Sequence, residues 1–119
     1  MNRLSQLIVF CSTFSICHAQ FVGEKPLSDI HVDYIQIEEV ARMLSSKSFI
    51  EVDYGQNIKL LDRNERLKDL NGNELEFNSM IDALNFLSKH GYEFLTIVPI
   101  FDPALPRVRY IMKKKIDKK

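Results

Sequence analysis

The sequence predicts an α+β domain: an antiparallel sheet of four to five strands carrying one helix on one face, in the order β-β-(short β)-α-β-β. Three observations lead there. Stretches such as SFIEVDY (48–54) and RVRYIMKK (107–114) alternate apolar and polar side chains, the period of half-buried strands. Residues 79–90 repeat their apolar groups at helical spacing instead. Between the last two strands, Asp102-Pro103 and Pro106 make a loop able to join antiparallel neighbours.

Taken in order, the first nineteen residues, MNRLSQLIVFCSTFSICHA, combine one basic residue, Arg3, with a mostly apolar stretch and a small Ala19, the pattern of a secretory signal peptide. Its apolar part is too short and too rich in Ser and Thr for a membrane span, which needs about 20 predominantly apolar residues, and no later segment of the mature chain offers a span either. Cleavage after Ala19 is expected, with a lipid-modified Cys17 as the alternative; either places the protein in the periplasm or beyond. Residues 20–30, QFVGEKPLSDI, mix Gly, Pro and polar groups and are expected to be a mobile leader. The folded domain is then expected over residues 31–115, with a lysine-rich tail at 116–119.

From His31 the pattern favours one long strand to about Leu44, although Ile37, Val40, Ala41 and Leu44 also fit one helical face. SSKS (45–48) reads as a hairpin turn, and Ile50, Val52 and Tyr54 line one side of the next strand. The charged DRNERLKD (62–69) is expected on the surface. Asn71-Gly72 marks a tight turn in which both residues tolerate positive φ, with a brief strand at Leu75 and Phe77 after it. Asn78 or Ser79 can cap the helix, Ser79 with Asp82 having capping-box spacing, and Met80, Ile81, Leu84, Leu87 and Ser88 form its core stripe beside Ala83. Lys89, His90 and Gly91 close it. Tyr92–Phe101 follows as a strand apolar on both sides, with Tyr92, Phe94, Thr96 and Val98 on one face, which suggests a central position.

The segment SMIDALNFLSKHGYEFLTIV with RYIMKKK resembles the small secreted bacterial domains of unknown function in which a helix ends in a Gly-Trp-Glu motif and two antiparallel strands follow. DYGQ (53–56) and LNGNELEFNS (70–79) extend the resemblance over Asp33 to Lys115. Gly91-Tyr92-Glu93 stands where the motif has its Trp, with Tyr92 keeping the aromatic anchor. The resemblance implies a compact antiparallel sheet with one helix, and brings no catalytic residue, substrate or cofactor.

With 119 residues, 16 of them basic and 16 acidic, the chain has room for one domain and no basic surplus to neutralise phosphates, so a nucleic-acid partner is not expected. Both cysteines, Cys11 and Cys17, fall in the signal segment, so disulfide and thiol chemistry are not expected of the mature domain. Asp29, His31 and Asp33 would share a face if their segment were a strand and so suggest a metal, but a fourth ligand is missing and His90 is the one other histidine of the mature chain. DLNGNE fails as a calcium loop: with Gly72 in register, Leu67 and Asn78 occupy ligand positions that need carboxylates. No Gly-x-Ser-x-Gly elbow is present, and Glu38 and Glu39 point to opposite sides of a strand. KKKIDKK (113–119) suits a solvated sheet edge better than an anionic surface. No catalytic, cofactor-binding or metal residue is therefore assigned.

What remains is a count of aromatics. Tyr34, Phe49, Tyr54, Phe94, Phe101 and Tyr110 are too many for one helix to cover, so some are expected on the sheet's open face as an apolar contact surface. The expectation is a non-enzymatic interaction or ligand-binding module with an unknown protein or small-molecule partner, or a homodimer. A small hydrolase or metal-dependent enzyme is the alternative.

Overall fold

In the computed structural model, residues 20–57, 65–104 and 107–116 are described. The α+β class and the antiparallel pairing hold. There are two sheets rather than one: a four-stranded sheet, and a small three-stranded one of two-residue strands.

The chain opens with β1 (Phe21–Val22) and β2 (Lys25–Pro26), paired antiparallel, and a 3-10 turn at Leu27–Asp29. This corrects the expectation of a mobile leader at 20–30, because Val22, Leu27 and Ile30 are core residues. Three apolar side chains at irregular spacing carry no periodic signal, yet burying each contributes about 1.5–3 kcal/mol. The packed unit thus begins before residue 31.

β3 (Tyr34–Ala41) is the long strand favoured over a helix, and it pairs with β4 (Ser48–Asp53) across the 42–47 loop. The brief strand lies elsewhere than expected. β5 (Leu67–Lys68) precedes the Asn71-Gly72 turn, while Glu74 and Phe77 make only isolated bridges, to Lys68 and Ser48. In that turn Gly72 alone takes positive φ, at 82°. The Asp69 carboxylate accepts from the Asn71 and Asn73 N–H groups at 2.9 Å each, so a side chain closes the turn instead of a second left-handed residue. Of the charged segment expected on the surface, residues 62–64 lie outside the described residues, and Leu67 is buried.

Helix α1 (Met80–Lys89) starts as its sequence dictates: the Ser79 hydroxyl accepts from the Asp82 N–H at 3.3 Å, and the Asp82 carboxylate accepts from the Asn78 N–H at 3.0 Å. Its buried stripe is Met80, Ala83 and Leu87; Ile81 and Ser88, expected in that stripe, face solvent. Gly91 follows the His90 cap with φ +95°. A Cβ there would meet open space, so the cost of adding one is backbone strain alone. Gly91→Ala is expected to destabilise the fold by about 1 kcal/mol, read from the shift in urea midpoint at constant slope.

The last strands, β6 (Tyr92–Ile100) and β7 (Arg107–Lys114), complete a sheet ordered β4-β3-β7-β6. β6 is an edge strand, not a central one; β3 and β7 are central. Register places Ile35 opposite Met112, Ile37 opposite Tyr110 and Val52, and Glu39 opposite Ile50 on one face. On that face Leu87, Ala83 and Phe77 meet the sheet in a single core with Ile30 and Leu67. Because β7 lies inside the sheet, Lys113 and Lys114 do not guard an edge. Lys115 instead donates its ammonium to the Ser88 carbonyl at 2.7 Å, joining the chain's end to the end of α1. Residues 1–19, expected to be a signal peptide, and residues 117–119 of the expected tail lie outside the described residues. No helix among the described residues is long and apolar enough to cross a membrane.

Candidate functional site

Two surfaces of the four-stranded sheet could do work, and the alternation of β3, β4 and β7 decides what each is made of. The face away from α1 carries Gln36 and Glu38 from β3, Glu51 and Asp53 from β4, and Arg107 and Arg109 from β7 around a hollow of about 220 Å3. Arg107 Nη1 lies 2.9 Å from one oxygen of Glu38, and Arg109 Nε 3.5 Å from the other. Two guanidinium groups thus share one carboxylate. This corrects the expectation of an apolar open face: of the six aromatics, Tyr34 and Phe49 lie on this side. Phe49 sits beneath the guanidinium groups of Arg66 and Arg42, 4.9 and 5.6 Å from its centroid.

The apolar surface lies on the helix side, past the end of α1, and along the β6 edge. Phe94 and Tyr110 are neighbours there, with ring centroids 6.3 Å apart, and Tyr110 with Val108, Glu39, Ala41 and Arg107 borders a hollow of about 390 Å3. Phe94, Leu95, Ile97 and Val98 are each about half exposed, at 50, 51, 49 and 44%. Phe101 is exposed beyond the strand's end. A bulge between Phe94 and Thr96 makes this possible: it inserts Leu95, so Thr96 pairs with Ile111 and the alternation reverses. Thr96 and Val98 therefore face away from Phe94, contrary to the uninterrupted alternation expected, and Ile97 joins Phe94 on the helix side. The bulge has no signature in the sequence; Pro99, tolerated in edge strands, was the available clue.

The polar candidates go to separate places. Asp29 ends the 3-10 turn, while His31 and Asp33 are exposed in the segment before β3, so they do not share a strand face. His90 caps α1, its Nδ1 2.7 Å from the Phe86 carbonyl and its ring stacked on Phe86 at 4.3 Å. Glu39 takes a hydrogen bond from Ser48 on the face opposite Glu38. Among the described residues, no group of three or more His, Cys, Asp or Glu side chains is placed to hold a metal ion. Tyr54 packs against the core.

Tyr92, the aromatic beneath the helix end, is buried, and its hydroxyl has no hydrogen-bond partner among the described residues. Burial pushes this phenol above its ordinary pKa of 10.0 by penalising the phenolate. The folded chain then holds this proton where the unfolded chain has released it, so stability falls as pH rises past 10.0, the unfolded value. Tyr92→Phe is expected to raise the unfolding free energy by about 1 kcal/mol near neutral pH, because a partnerless buried hydroxyl is removed, and to flatten the alkaline decline in melting temperature. Tyr92 serves as scaffold.

No protein-family model, curated protein or solved structure matches this chain.

Proposed function

We propose that this chain is a small exported protein that works as a non-enzymatic interaction module, with the β6 edge and the adjoining β6–β7 surface as its contact area. The carrying observation is the run Phe94–Phe101, which contains no charged residue and leaves four large apolar side chains half exposed on a strand edge. Contiguous exposed apolar surface of this kind marks contact sites in small soluble domains. On this reading the chain sits with the small secreted domains that it resembles, Gly91 and Tyr92 forming its turn and anchor, and export removes residues 1–19.

The test is native mass spectrometry of the tagged chain recovered from a cell envelope, beside the Ile97→Lys variant. A stoichiometric complex, lost in the variant, is the expected result. A bare wild-type chain, or a complex indifferent to Ile97, would overturn the proposal. The intact mass reads cleavage after Ala19 directly.

A further inference from the structure

We infer that the open edge of β6 pairs antiparallel with β6 of a second copy of this chain, joining two four-stranded sheets into one of eight strands. This rests on the interaction-module reading above and names its occupant.

The fold treats its two sheet edges differently. At β4, Ser48 and Phe77 exchange N–H to carbonyl bonds of 2.9 Å, and the Val52 N–H donates to the Glu65 carbonyl at 2.9 Å, so that edge is covered by the chain itself. At β6, among the described residues, β7 is the sole hydrogen-bonded neighbouring strand, and no other strand takes the outer row of N–H and carbonyl groups, where the Thr96 hydroxyl makes one long 3.5 Å bond to the Ile97 carbonyl. An open edge is a template for another strand, and proteins usually blunt it with charge or brevity. β6 has nine residues and no charge beyond Glu93. Pro99, which has no N–H, blunts its far end and leaves Phe94–Val98 available.

Self-pairing fits this strand in particular. A two-fold axis through Ile97 sets Ile97 opposite its own counterpart and Thr96 opposite Val98, each pair on one face. Counting past the bulged Leu95, Phe94 meets Pro99 and Glu93 meets Ile100. Ile100 is the register partner of Arg107, and Glu93 that of Lys113. The row across the joint is then Lys113, Glu93, Ile100 of the second copy, Arg107 of the second copy. Glu93 and that arginine stand two strand spacings apart, roughly 10 Å between Cα atoms, within reach of two long side chains. Within its own chain Arg107 shares Glu38 with Arg109, so it has attraction left for a second carboxylate. No like charges are brought opposite each other. Because one β6 edge meets the other, the association closes at two copies.

Sedimentation equilibrium of the purified chain over a wide concentration range tests this, beside Ile97→Lys and a control, Ile81→Lys, on the exposed side of α1. Wild type and the Ile81 variant are expected to reach twice the chain mass. Ile97→Lys, which sets two ammonium groups opposite each other, is expected to stay at single-chain mass with an unchanged circular dichroism spectrum. A wild-type protein that remains single at every concentration, or an Ile97 variant that associates equally well, overturns the inference. If the single wild-type chain still forms an Ile97-dependent complex in the envelope, the second copy is the wrong occupant and the module reading stands. If that complex is absent too, both fall.

Discussion

Leu87→Ala is expected to lower the unfolding free energy by about 3 kcal/mol, within the 2–5 typical of such core truncations, measured by urea denaturation with the slope unchanged. Leu87 is fully buried in the last full turn of α1, in the same cluster as Tyr92 and Met112 from the sheet. Two costs combine: the lost transfer of three carbons and the cavity they leave. The cavity cannot close easily, because α1 is held at both ends, by the Ser79 cap and by the Lys115 ammonium on Ser88. A loss well under 1 kcal/mol would mean that the helix does not pack where it is placed.

Arg66→Ala is expected to cost about 2 kcal/mol, less than the 3–5 seen when a fully buried ion pair is broken. Arg66 is largely enclosed, its side chain 15% exposed, and Nη1 lies 2.9 Å from Glu74, Nε 3.8 Å from Glu51. Its guanidinium also covers Phe49. Truncation removes the cation from two acids and uncovers a ring. The loss stays moderate because Glu51 and Glu74 are partly exposed and can hydrate. Arg66→Met, which keeps the covering stem, is expected to recover part of the loss; equal losses for both variants would assign the whole effect to charge.

The strands that were legible in the sequence were those whose two faces differ. Ile50, Val52 and Met112 announce themselves against Glu51, Asp53 and Lys113, and α1 announces itself through its cap and Gly91. β6 misled because apolar residues on both faces signal either a strand covered twice or one covered by something outside the chain, and composition does not separate these. The burial of Val22, Leu27 and Ile30 was hidden because turns interrupt any period they have. The charged far face was hidden for another reason. Glu38, Arg107 and Arg109 meet only through the β3–β7 register, a long-range property that no local window contains. Aromatic counting gave only that some of the six lie on the face away from the helix; Tyr34 and Phe49 do, while Phe94 and Tyr110 lie on the helix side.

The β3–β7 pairing also governs when this protein can fold. β3 pairs with β4 across the short 42–47 loop, whereas its other side pairs with the distant Arg107–Lys114, with Tyr34 opposite Lys113. Closing so long a loop is entropically costly and comes late. A chain emerging from the ribosome therefore has no complete four-stranded sheet until Arg107–Lys114 is out.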